Sequence, residues 1–153
     1  MPPKAVEERA EQLALLEGLA HEKLVNPEIG SLLSALGSTP ENPLGDSGLS
    51  PAVRAFLCAL RRAYDQATKL PADLVTELAR TTALGQSSWV DARTNDDFEA
   101  FAPFLEKLLD LQRRKAACLA PDKPAYDVLL DLYEPGSTEA GIAEVFRFLR
   151  SEL

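Results

Sequence analysis

The chain has 153 residues, of which 46% are hydrophobic and 26% charged, and its formal net charge is −8 at pH 7. This length and composition suit one globular domain with a buried core. The acidic balance argues against a nucleic-acid partner, because binding a phosphate backbone needs a basic face that releases counterions. No uninterrupted apolar run approaches the roughly 18 residues of a membrane-spanning helix, so we expect no membrane partner.

The amino terminus and the cysteines indicate the compartment. Residues 1–10 include several charged residues and lack the apolar segment that a secretory signal peptide contains. Cys58 and Cys118 lie far apart and outside any C-x-x-C pair, which is typical of reduced, half-buried thiols. We therefore expect a cytoplasmic protein.

Apolar residues recur at threes and fours through the first third of the chain, which predicts helices. The first helix is expected to begin just after Pro3 and to reach about Val25. Asn26 followed by Pro27 then predicts a capped second helix, which Gly37 ends. The predicted buried faces are Val6, Ala10, Leu13, Leu16, Ala20 and Leu24 in the first helix and Ile29, Leu32, Leu33 and Leu36 in the second.

Residues 37–50 contain three Gly, two Pro and three Ser, which predicts a flexible loop. Ser50 and Pro51 are placed to start a third helix, and Pro71 separates it from a fourth. Two apolar seams on either side of Pro71 predict an antiparallel helical hairpin. The seams are Val53, Phe56, Leu60, Ala63, Ala67 and Leu70, then Val75, Leu78, Thr82, Gly85, Trp89 and Ala92.

The stretch from Gly85 to Phe104 holds the only Trp and half of the Phe residues. It is predicted to be a corner where one helix ends and another begins. Asn95 or Asp96 is expected to cap the incoming helix, with Pro103 in its first turn. We expect Trp89, Phe98, Phe101 and Phe104 to anchor the packing, and Arg93 to be held among Asp91, Asp96 and Asp97.

The last third of the chain predicts three further helical segments. One continues from Phe104 to about Ala117, a brief one spans Tyr126 to Tyr133, and Ser137 or Thr138 opens the last. The predicted buried face of the last helix is Ile142, Val145, Phe146 and Leu149. No alternating β pattern is long enough for a strand, so the sequence predicts an all-α fold. We expect antiparallel hairpins or a bundle of about six to seven helices in a single domain over residues 1–153.

His21 begins the sequence H-E-K-L-V, which resembles the zinc-protease motif H-E-x-x-H. Val25 stands where that motif has its second histidine, and His21 is the only histidine in the chain. A histidine zinc site or a histidine-activated nucleophile cannot be built from one imidazole. We therefore interpret His21 as a structural residue near the end of the first helix.

The remaining polar candidates also favour structural roles. Ser87 and Ser88 are predicted to lie within a helix, away from any nucleophile elbow. The carboxylates Asp91, Asp96, Asp97 and Glu99 lack the glycine-turned loop of an EF-hand, and their spacing favours helix caps and ion pairs. The sequence thus predicts no catalytic residue, no metal ligand and no cofactor-binding residue.

Three stretches together resemble the amino-terminal part of the Taq-type thermostable zinc metallocarboxypeptidase family. They are M-P-P-K-A-V-E-E-R-A-E-Q-L-A-L-L-E-G-L-A-H-E-K-L (Met1–Leu24), W-V-D-A-R-T-N-D-D-F-E-A-F-A-P-F-L-E-K (Trp89–Lys107) and Y-D-V-L-L-D-L-Y-E-P-G (Tyr126–Gly136). The resemblance implies a relation to large helical zinc enzymes that typically form homodimers and cleave peptides in a deep groove. Their H-E-x-x-H motif belongs to a later region, so no catalytic or metal residue carries over. Relative to the family, both ends of this chain look trimmed.

Three hypotheses for function follow. The first is a non-catalytic interaction or regulatory module that binds a full-length carboxypeptidase or a second copy of itself, with a homodimer expected. The second is an inactive fragment or remnant of a metallocarboxypeptidase. The third is a peptidase with an unrecognised metal site.

Overall fold

The computed structural model describes residues 5–153, which form seven helices and no strand. The predicted all-α class and the number of helices are therefore confirmed, while the helix start predicted just after Pro3 falls at residue 4, outside the described residues. The helices are α1 (Ala5–Leu24), α2 (Pro27–Ala35), α3 (Pro51–Ala67), α4 (Ala72–Asn95), α5 (Phe98–Leu119), α6 (Ala125–Leu130) and α7 (Glu139–Glu152).

The chain divides into two compact units. The first extends to Leu108 and contains α1 to α4 with the first part of α5. The second covers Leu109–Leu153, where α6 packs against α7. The single domain expected from the sequence stays a prediction.

Local capping chemistry explains where several helices begin and end. The Asn26 side chain accepts a hydrogen bond of 2.9 Å from the Glu28 N–H, and Pro27 fills the first helical position. Ser50 caps α3 and Thr138 caps α7 in the same manner. Gly37, at φ +71°, ends α2 in the left-handed conformation that glycine adopts without strain. These four predictions are confirmed.

Residues 37–50 form a loop tied together by internal hydrogen bonds. The Asn42 side chain donates to the carbonyls of Gly37 and Gly45. The hydroxyl of Ser38, which is fully buried, donates to the carbonyl of Pro43 at 2.9 Å. The composition of the loop does not predict these bonds, and the flexibility expected for this loop stays a prediction.

The first unit is built on the packing of α1 against α4. Small residues allow the two helices to approach closely: Ala10 and Ala14 are buried, and a Cβ on Gly18 would lie 3.0 Å from the Cγ2 of Thr76. The expected hairpin of α3 with α4 is wrong, because α4 packs mainly against α1 while α3 packs against α2 and α1.

The predicted buried faces are wrong in part, because apolar periodicity does not say which side of a helix meets a partner. In α3, Leu57 is 2% exposed, whereas its neighbour Phe56, which was expected in the seam, is 63% exposed. In α4 the buried positions are Leu74, Thr81, Gly85 and Ala92, so Thr82 and Trp89 lie outside the core. In α1 and α2, the exposed members of the predicted faces are Leu16, Ala20, Leu32 and Leu36.

Arg61 occupies a buried position of α3 that an apolar pattern does not predict. Its guanidinium donates to both carboxylate oxygens of Asp65, one helical turn later, and lies 5.0 Å from the centre of the Tyr64 ring. The bond to Asp65 raises the pKa of Arg61, so the side chain stays charged and paired where it is buried.

The second unit also departs from prediction. α6 ends at Leu130, three residues before the expected Tyr133, and turns follow it. No residue of α7 is buried. Of its predicted apolar face, Ile142 is half-buried, and Val145, Phe146 and Leu149 are exposed.

Candidate interaction surface at the corner between the fourth and fifth helices

The corner forms around a tight helix ending. α4 stops at Asn95, and Asp96 adopts the left-handed conformation at φ 54°. The N–H groups of Asp96 and Asp97 both donate to the carbonyl of Ala92, which satisfies an acceptor that the helix end leaves free. Aspartate and asparagine tolerate this backbone conformation better than most residues, so the local sequence suits the turn.

Asp97, and neither Asn95 nor Asp96, caps α5. Its carboxylate accepts a hydrogen bond of 3.1 Å from the Ala100 N–H. The Asn95 amide instead donates backwards to the carbonyl of Asp91 at 2.8 Å. Pro103 is the sixth residue of α5 and not part of its first turn, so that prediction is also wrong.

Side chains of the two helices meet beside Gly85. A Cβ at this position would lie 3.4 Å from Leu108 and 3.6 Å from Phe104, which is close to ordinary van der Waals contact. The hydroxyl of Ser88 donates to the carbonyl of Ala100 at 3.3 Å. Ser88 therefore has a structural role in the corner, as expected.

The aromatic residues of the corner are more exposed than the sequence predicts. Phe104 and Phe101 are half-buried, but Trp89 is 50% exposed and Phe98 is 65% exposed. Phe98 and Phe101 pack edge to face with their ring centres 6.5 Å apart. Only part of the predicted packing anchor therefore faces the core, and the remainder forms a surface.

These exposed rings line a pocket of about 290 Å³. Trp89, Phe98 and Phe101 supply aromatic walls, and the buried Ala92 contributes a small apolar side chain. Arg93 and Asp96 complete the lining with one charge of each sign. An aromatic pocket with a few charged groups is the usual composition of a binding site.

The predicted ion pairs of Arg93 are not found. Among the described residues, Arg93 forms no ion pair with Asp91, Asp96 or Asp97 and no side-chain hydrogen bond. The carboxylate of Asp96 likewise has no partner within the described part of the chain. The sequence indicated this cluster of charged residues, but its spacing alone could not show that the side chains of Arg93 and Asp96 would lack ion-pair partners.

The other candidates do not line this pocket. His21 lies half-buried in the last turn of α1. Cys58 and Cys118 are free and half-buried, which agrees with the predicted thiols. Over residues 5–153, no cluster of three His, Cys, Asp or Glu side chains is arranged to hold a metal ion. In the same residues, no helix combines the length and apolarity needed to cross a membrane.

Comparison with known proteins identifies the family. The profile of the family described as "Carboxypeptidase Taq (M32) metallopeptidase" matches residues 1–153. The chain belongs to the M32 family. This confirms the resemblance seen in the sequence.

Relatives of known sequence show how much of an M32 protein the chain represents. It is 35% identical over 164 residues to thermostable carboxypeptidase 1 of Thermus thermophilus, covering 100% of this chain and 31% of the relative. Thermostable carboxypeptidase 1 of Pyrococcus furiosus is 32% identical over 153 residues, covering 100% of this chain and 29% of the relative. The chain thus spans about 30% of these relatives' length.

Solved structures share the fold over the same region. The crystal structure titled BsuCP matches 99% of this chain and 29% of its own with a TM-score of 0.87 and 24% identity, a likeness that concerns the fold alone. The Apo-Mg structure of the Pyrococcus furiosus carboxypeptidase gives a TM-score of 0.75 and 32% identity, covering 99% of this chain and 29% of its own.

A metallopeptidase family raises the question whether the residues present fit a zinc ion. A catalytic zinc usually takes three protein ligands, with two of them from the histidines of H-E-x-x-H. This chain has one histidine, His21, and contains no H-E-x-x-H sequence. The donor set present in this chain therefore does not fit such a zinc ion.

Proposed function

We propose that this M32 chain is a non-catalytic helical module that acts by binding an M32 carboxypeptidase. The observation that carries the proposal is the large amount of apolar helix surface without a covering element. A module of this kind would influence a peptidase by packing on it and would supply no catalytic group of its own.

The exposed side chains of the first unit support this proposal. Eleven large apolar side chains in its described residues are exposed. Exposed apolar side chains that form a continuous patch, unlike single ones, mark protein-binding sites.

The exposed residues also form continuous stripes. On α1, Leu15, Leu16 and Leu19 are exposed on the helix whose other side packs against α4. Leu19 lies three and four positions from the other two, so the three share one face. On α3, the exposed Val53 and Phe56 are three positions apart and therefore also share one face. Contiguous apolar surface of this kind usually marks a protein-binding site.

The lengths of the relatives suggest the partner. The matched region is about 30% of each curated relative, so in those proteins the same helices belong to a much larger chain. Helix faces adapted to pack on the rest of an M32 fold would be complementary to an M32 protein. An M32 carboxypeptidase is therefore favoured over an unrelated partner.

Mixing the purified chain with full-length Thermus thermophilus thermostable carboxypeptidase 1 tests the proposal. We expect a complex in sedimentation velocity and a changed rate of peptide cleavage. The double variant Leu16→Ser/Leu19→Ser should weaken the complex at least about tenfold, because two buried apolar side chains are lost. The control Glu17→Gln leaves the apolar stripe intact and should bind normally. Absence of a complex together with an unchanged rate would refute the proposal.

Two further measurements address the alternatives. Titration of the isolated chain with zinc and a peptide substrate should give no cleavage above background, and zinc-dependent turnover would instead favour a peptidase. Self-association is the second candidate function, and the exposed apolar face of α7 favours it. Light scattering tests for a homodimer. A strict monomer over a wide concentration range would eliminate the expected homodimer.

A further inference from the structure

The pocket between α4 and α5 has a feature that packing does not explain. Arg93 lies in the last turn of α4, and Asp96 is the left-handed residue that directly follows the helix. Both line the pocket, yet they do not pair with each other or with any other described side chain. A cation and an anion, both on exposed residues, therefore border the same small aromatic space without a partner among the described side chains.

The size of the pocket restricts what it can hold. Its volume of about 290 Å³ is at the lower end of the range of roughly 300 to 1,000 Å³ that is usual for small-molecule pockets. The walls of Trp89, Phe98 and Phe101 favour an apolar or aromatic group. The ligand should therefore be small, carry one large apolar group, and bear one charge of each sign.

We propose that this pocket binds the zwitterion of a free α-amino acid with a large apolar side chain. The ligand's carboxylate accepts hydrogen bonds from the Arg93 guanidinium, and its ammonium group pairs with the Asp96 carboxylate. The apolar side chain lies among the rings of Trp89, Phe98 and Phe101. This inference is independent of the proposed function, because it concerns a small ligand of the isolated chain.

Trp89 makes the site directly observable. It is the only tryptophan in the chain and lines the pocket, so its fluorescence reports occupancy without a label. Titration with L-leucine should change the emission in a saturable manner. Glycine lacks the apolar group, N-acetyl-L-leucine lacks the ammonium group, and L-leucinamide lacks the carboxylate. Each of these three should bind at least about tenfold more weakly, since each loses one of the contacts described.

Variants of the two charged residues complete the test. Arg93→Gln and Asp96→Asn should each weaken L-leucine binding about tenfold. Asparagine also tolerates the left-handed conformation of position 96, so the fold should be kept, which thermal unfolding checks. Matched controls on exposed residues outside the pocket, Arg147→Gln and Asp110→Asn, should bind like the parent.

Three results would overturn the inference. The first is that L-leucine does not bind in a saturable manner. The second is that L-leucine and the two analogues that lack one charge bind equally well. The third is that a folded Arg93→Gln or Asp96→Asn variant binds L-leucine with unchanged affinity. Equal binding of the analogues would show that the pocket recognises the apolar group alone.

Discussion

Arg80 on α4 donates two hydrogen bonds to the carboxylate of Glu11 on α1, each 2.7 Å long. The pair joins residues 69 positions apart and links the two helices that form the main contact of the first unit. The hydrogen bonds from Arg80 lower the pKa of Glu11. The contact is therefore a link between sequence-distant elements whose strength depends on pH.

The pH dependence has a definite sign. A carboxyl group whose pKa is lowered in the folded state stabilises the fold above its unfolded pKa, near about 4.3, and loses that effect as the pH falls through the folded value. Glu11→Gln should therefore reduce the free energy of unfolding more at pH 7 than at pH 3, as measured by urea unfolding. The difference between the two pH values should vanish in an Arg80→Gln background. An equal effect of Glu11→Gln at both pH values would contradict this account.

Neighbouring residues on α3 offer a direct test of the core. Leu57→Ala should lower the free energy of unfolding by about 2 to 5 kcal/mol, because it removes a fully buried side chain. Phe56→Ala should change the free energy of unfolding by less than about 0.5 kcal/mol, since that ring is exposed. The sequence pattern predicts the opposite order, so chemical denaturation of the two variants distinguishes the two assignments.

Two glycines in the loop over residues 37–50 form a matched pair. Gly45 has φ +69°, and a Cβ there would lie 2.6 Å from the carbonyl oxygen of Leu36 and 2.8 Å from Leu57. Gly45→Ala should therefore destabilise the protein by about 1 to 3 kcal/mol. A methyl group on Gly48 would project into open space, with no packing neighbour within 4 Å, so Gly48→Ala should be neutral or slightly stabilising. Equal thermal shifts for both variants would argue against a fixed loop.

The cap of α5 can be assigned by substitution. Asp97→Ala should cost about 1 kcal/mol, because the Ala100 N–H loses its acceptor. Asp97→Asn keeps a side-chain oxygen in place and should cost less. Asn95→Ala, at one of the two positions that the sequence predicts for the cap, should have an effect of less than about 0.5 kcal/mol. A larger loss for Asn95→Ala than for Asp97→Ala would reverse the assignment.

Hydrogen exchange can determine whether the loop over residues 37–50 is flexible. The amide of Asp46 donates to the Leu36 carbonyl at 3.0 Å, and that of Thr39 donates to the Asn42 carbonyl at 3.1 Å. If these bonds persist in solution, both amides should exchange at least about tenfold more slowly than the unbonded reference rate. Exchange at the reference rate would instead confirm the flexibility that the composition predicts.

The parts of the fold that could be predicted from sequence are those set by local chemistry. The helix ends were predicted correctly at Asn26, Gly37 and Ser50, because each depends on the backbone within a few residues. The side chains of Asn26 and Ser50 accept hydrogen bonds from nearby N–H groups, and Gly37 adopts the left-handed conformation without strain. Burial depends on partners that are distant in sequence, and the apolar spacing of α3 is compatible with either Phe56 or Leu57 facing inwards. The choice is made by tertiary packing, which local periodicity does not encode.

The candidate site illustrates the same limit. Sequence spacing identified Trp89, Phe98 and Arg93 as one cluster, because a helix corner brings them together. It could not predict that the rings would be exposed or that Arg93 would have no acidic partner among the described residues, since both depend on side-chain positions. An excess of aromatic and charged residues at a predicted corner was the only available signal.

The pairing of α1 with α4 also has a consequence during synthesis. A ribosome adds about 5 to 20 residues per second. The 69 positions between Glu11 and Arg80 therefore correspond to a delay of about 3 to 14 s. During that interval α1 has been made while α4 has not, so Ala10 and Ala14 of the nascent chain stay uncovered until their partner helix is synthesised.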